Sequence, residues 1–75
     1  MEAKPILIVK VDNSDNKFSS LHEINDIIQT NIPDYHVLAV PFRNEDEPIQ
    51  FEVFYPKDFK EIDYENLKEL ITNLK

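Results

Sequence analysis

The chain contains no glycine and no cysteine, and each absence removes a family of functions. Without glycine there is no residue that takes positive φ freely and lets a backbone approach a phosphate closely, so P-loops and dinucleotide fingerprints are excluded. Without cysteine there are no disulfides, thiolate nucleophiles, or cysteine-based zinc or iron–sulfur centres, and stability rests on packing. Long apolar runs are missing as well. The longest, Ile6 to Val9, follows no basic n-region and falls far short of the roughly 20 apolar residues a membrane helix needs. The expectation is a cytoplasmic protein with no membrane contact.

Positive charge is also scarce. Eight basic residues against 15 acidic ones leave a formal charge of −7, which repels phosphate backbones and anionic membranes at long range. Direct nucleic-acid binding is therefore not expected. What the chain does have is apolar material, 41% of its 75 residues with five Phe and three Tyr. That suffices for one core but not two, so residues 1–75 are read as a single α/β domain.

Pro5 to Val11 is rich in β-branched residues and apolar on both faces, which predicts a buried strand. The polar stretch Asp12 to Ser19 then reads as a loop, with Asn13, Asp15 and Asn16 as its turn formers. Ser20 with Glu23 three residues on fits a capping box. Leu21, Ile24, Ile27, Ile28 and Ile32 follow as the apolar stripe of a helix, with Asn31 as its C-terminal cap and Pro33 ending it. Tyr35 to Phe42 and Ile49 to Tyr55 read as strands joined by a hairpin over Arg43 to Pro48. In the last stretch Asp63 caps a helix, Ile62 and Leu67 form a staple, and Tyr64, Leu67, Leu70, Ile71 and Leu74 make its stripe.

The order β-α-β-β-α predicts an α+β two-layer sandwich. Its three-stranded mixed sheet has order 2-3-1, with both helices on one face. It looks like a ferredoxin-like fold lacking its last strand, which would leave the first and most apolar strand as an unpaired edge. If Phe42 faces Ile49 across the hairpin, Val37, Ala39 and Phe54 fall together on the uncovered face.

Candidate chemistry is thin. His22 and His36 have no serine or cysteine partner in a nucleophile motif. Asp12, Ser14, Asn16 and Glu23 match the oxygen-ligand spacing of a calcium loop, but Lys17 stands where that loop needs glycine. No catalytic residue, metal or cofactor is expected. The acidic stripe Glu61, Glu65 and Glu69 on the last helix and the acidic loop Glu45, Asp46 and Glu47 offer a negative surface to a basic partner protein. Val37, Ala39 and Phe54 offer an apolar one, suited to a partner or to a second copy.

The short apolar start PILIVKV, the later YHVLAVPF and the acidic amphipathic C-terminal helix resemble in size and layout the small uncharacterised proteins abundant in phage and prophage genomes. That resemblance implies a regulator or inhibitor of a host protein. The expected function is stoichiometric protein binding without catalysis, with a structural homo-oligomer as the alternative.

Overall fold

The computed structural model describes residues 4–54 and 62–74. Among these residues five elements follow one another: β1 (Ile6–Val11), α1 (Leu21–Asn31), β2 (His36–Pro41), β3 (Ile49–Phe54) and α2 (Tyr64–Asn73). They form an α+β arrangement with a three-stranded mixed open sheet and two helices.

The strand order is β2-β1-β3, with β1 parallel to β2 and antiparallel to β3. This corrects the expected order 2-3-1. β1 is the central strand and not an edge, and β2 and β3 make no hairpin because β1 lies between them. The physical reason lies in β1 itself, which carries apolar side chains on both faces and gains most from a neighbour on each side. The segment from Phe42 to Pro48 crosses the end of β1, a span of about 10 Å for two strand spacings. Three bonds hold it there: Phe42 N donates to Val11 O (3.1 Å), Asp12 N to Pro48 O (2.7 Å), and Asn44 N to the Asp12 carboxylate (2.9 Å).

Register follows from these ladders. Leu7 lies between Val37 and Val53, Val9 between Ala39 and Phe51, and Val11 between Pro41 and Ile49. Leu7, Val9 and Val11 are fully buried and share one core cluster with Ile24 and Ile28 of α1 and Leu67 and Ile71 of α2. Val37 is buried and Ala39 is packed against the same cluster. Their predicted place on the uncovered face is therefore corrected: with β1 beside β2, the parity of the strands puts them opposite Leu7 and Val9, on the core side.

The helix starts are as the sequence implies. Ser20 Oγ accepts from Glu23 N (3.2 Å), and Asp63 Oδ1 accepts from Asn66 N (3.1 Å). The second half of the α1 box differs, since the Glu23 carboxylate takes the Ser20 hydroxyl (3.3 Å). At its other end α1 closes one residue later than expected, at Ile32, whose N–H bonds to Ile28 O. Asn31 lies inside the helix and turns its side-chain amide back onto Ile27 O (3.0 Å). In the loop between β1 and α1, Asn16 takes φ 56°, the left-handed conformation that a glycine-free chain assigns to asparagine.

Candidate interaction surface

The side of the sheet away from the core reads as a grid. His36, Ile6 and Phe54 form its first row, Leu38, Ile8 and Glu52 the second, and Val40, Lys10 and Gln50 the third. Ile6 is 42% exposed, and Leu38 and Phe54 are 53% exposed, while Ile8 and Val40 are half-buried. Large apolar side chains left this accessible on neighbouring strands are a patch, and not the scattered single residues normal to any surface. Polar side chains hold two opposite corners, His36 at one and Gln50 with Lys10 and Glu52 at the other, where Lys10 Nζ and Glu52 Oε2 pair at 3.1 Å.

A second feature lies along the outer side of β3. An open groove of about 830 Å³ runs between β3 and α2. Its floor includes Ile49 and Phe51, and Tyr64, Lys68 and Thr72 of α2 line its wall. That wall follows from spacing, since residues four apart share a helix face. Phe51 and Tyr64 meet at 5.2 Å between ring centroids. Asp46 and Glu47 stand at its rim. Their backbone amides both bond to Asn44 Oδ1, at 3.1 and 3.0 Å, so the acidic turn is fixed locally while the carboxylates remain exposed. Among the described residues Glu45, Asp46 and Glu47 make no ion pair.

A smaller cavity of about 430 Å³ sits where β1 and β2 end, lined by Asp12, Ser14, Leu21, Phe42 and Arg43. Asp12 is the single buried charged residue among those described. Its carboxylate accepts from Ser14 Oγ (2.6 Å), Ser14 N (3.1 Å) and Asn44 N (2.9 Å). The bond from the Ser14 hydroxyl, those from the two amides and the charge of Arg43 together hold it below the usual carboxylate range, against the opposing effect of burial. With these bonds made, Asp12 ties the first loop to the crossing segment and works as a structural anchor. Of the calcium-spaced residues, Asp12 is thus engaged by Ser14, and Glu23 pairs with Ser20. Among the described residues no three acidic or histidine side chains are grouped so that they could hold a metal ion.

The predicted site residues therefore disperse. Phe54 is on the open face, Val37 and Ala39 are on the core face, and Asp46 and Glu47 are at the groove with Glu45 beside them. Glu65 and Glu69 are exposed on α2, and Glu61 lies outside the described residues. His22 is a surface residue 3.4 Å from Asp26, and His36 is exposed at the corner of the open face. Sequence reasoning missed Ile6, Ile8, Leu38 and Val40. One signal was present: β3 alternates apolar and polar until Phe54, which breaks the pattern by sharing the face of Gln50 and Glu52.

Among the described residues no helix is long and apolar enough to cross a membrane. Comparison with protein families, with curated proteins and with solved structures finds no match to this chain.

Proposed function

We propose that this chain is a non-catalytic protein-binding module that seats a partner protein on the open face of its sheet. One observation carries the reading: Ile6, Leu38 and Phe54 are solvated together around Ile8 on adjacent strands. Residues of both helices share one core cluster with Leu7, Val9 and Val11, whose side chains lie on the other side of the sheet, and this supports an open face left for a partner. The acidic loop and the exposed Glu65 and Glu69 add a negative field that speeds encounter with a basic partner and disfavours acidic ones. In this reading the protein regulates or inhibits its partner by occupying it one-to-one.

Area limits what this face can hold unaided. Three six-residue strands present a rectangle of about 20 by 14 Å, or about 300 Å². A stable interface takes about 800 Å² from each side. The face by itself is too small for a stable interface of either kind, so whatever binds it also reaches the flanks of the sheet.

The test is a nuclease-treated pull-down from native cells with the wild type and with Leu38→Lys and Phe54→Lys. Both substitutions are at exposed positions and should leave the far-UV circular dichroism unchanged. One heterologous protein held near one-to-one by the wild type and released by both variants is the expected result. Recovery of untagged copies of the chain alone would establish the homo-oligomer. Loss of no bound protein in either variant would remove the open face from the function.

A further inference from the structure

The two outer edges of the sheet are treated differently by the rest of the chain. His36 N donates to Pro5 O and Phe42 N to Val11 O, so the even-numbered amides of β2 point toward β1 and the odd-numbered ones point outward. Every outward nitrogen of β2 is taken or absent. Val37 N donates to Gln29 Oε1 at 3.0 Å, Ala39 N donates to Asn25 Oδ1 at 2.9 Å, and position 41 is proline. Gln29 also donates its Nε2 to Tyr35 O at 2.7 Å. Two amide side chains of α1 thus imitate a neighbouring strand, and no further strand can add there.

At β3 the alternation is fixed by Asp12 N donating to Pro48 O. In the antiparallel register, Gln50, Glu52 and Phe54 bond to β1, and Ile49, Phe51 and Val53 direct N–H and C=O outward. Among the described residues nothing bonds to those outward groups. The groove beside them has an aromatic floor at Phe51 and a helical wall at Tyr64 and Lys68. A strand edge running beside a helix, with a groove between, is the geometry in which an extended peptide adds to a sheet. Main-chain bonds then supply affinity, and alternate side chains enter the groove.

The geometry points to β3 as a strand-addition site for an extended segment of a partner protein, apolar at alternate positions and carrying Lys or Arg at the end that meets Asp46 and Glu47. Charge chooses this occupant. Two exposed carboxylates face one ammonium, Lys68, at the groove, in a chain of net charge −7. A second copy would bring its own acidic turn. This site is separate from the open face, and its test does not depend on that reading.

The experiment uses the intact ¹⁵N-labelled protein with two synthetic peptides, TVTVTVKK and TVTVTVEE, whose charged C-terminal ends meet the turn before Ile49 when they add antiparallel to β3. The basic peptide should shift the amides of Ile49, Phe51 and Val53 and slow their hydrogen exchange. The acidic peptide should bind about tenfold more weakly or worse. The loop variant Asp46→Lys with Glu47→Lys should cost the basic peptide about the same factor, and it alters only exposed side chains. Val53→Pro, which copies at β3 what Pro41 does at β2, should abolish binding. If it disturbs the fold, the loop variant carries the test unaided. Shifts centred on Ile6, Leu38 and Phe54, affinity indifferent to charge reversal, or no binding at about 1 mM peptide would each overturn the assignment. So would concentration-dependent protection of the β3 amides without peptide, which would mark a second copy as the occupant.

Discussion

β2 and β3 flank the same central strand, have the same length, and end in opposite conditions. The β2 side is closed: α1 packs over it, Gln29 and Asn25 occupy its outward amides, and Pro41 removes the last donor. The β3 side has Phe51 against Tyr64 and a groove where a closed edge would have bonds. The lesson is that an edge is closed mainly by the amides facing it and only at Pro41 by its own sequence, because β2 is no more polar than β3. Unpaired edges invite pairing, and natural sheets block the ones that are not used.

The contrast can be broken first at the core. Ile28→Ala, on the closed side, should destabilise the fold by about 2–5 kcal/mol in urea titrations, since it empties a fully buried site. Leu38→Ala, on the open face, should change stability by no more than about 0.5 kcal/mol. Equal costs would show that the open face is packed in solution, and so occupied.

A smaller effect is expected from unsealing β2. Gln29→Ala leaves the Val37 N–H and the Tyr35 carbonyl without that partner, at a cost of about 1–3 kcal/mol. Asn25→Ala removes one bond and should cost less. Hydrogen exchange is the sharper measurement, because only Val37 should lose protection in the first variant and only Ala39 in the second. A gain of concentration-dependent association in either variant would show that the amide seal also keeps the sheet from extending.

The smallest effect concerns the loops at the end of β1. The folded pKa of Asp12 lies below that of the unfolded chain, so its contribution to stability is complete above the ordinary carboxylate range, about pH 4. It is lost as pH falls through the lower folded value. Asp12→Asn should therefore reduce stability at neutral pH and flatten its decline under acid. Acid titration of wild type and variant checks this, and parallel curves would remove Asp12 as the anchor between the loops.

Legibility followed how local each feature is. The starts of both helices could be read because a cap is settled within four residues: Ser20 with Glu23, and Asp63 with Asn66. The apolar stripes could be read for the same reason, as Ile24, Ile28, Leu67 and Ile71 all reach the core. The pairing of strands could not. Arg43 to Pro48 reads equally well as a hairpin loop or as a crossing over a third strand, and only the bonds from Asn44 and Asp12 at the end of β1 distinguish the two. That one ambiguity moved Val37 and Ala39 to the wrong face, hid the patch of Ile6 and Leu38, and made β1 an edge.

By itself the sequence determined the five elements found among the described residues, the starts of both helices and the limits of the first two strands to within a residue, and the absence of glycine- and cysteine-dependent chemistry; the expected end of the third strand, Tyr55, lies outside the described residues. These rest on periodicity, capping and composition, which act over short stretches of chain. Tertiary structure alone decided that β1 is central, that Gln29 and Asn25 seal one edge, and that Phe54 shares its face with Leu38. Those outcomes depend on pairings between residues as far apart in the chain as Ile6 and Phe54, and a one-residue change of strand parity exchanges every buried side chain for an exposed one.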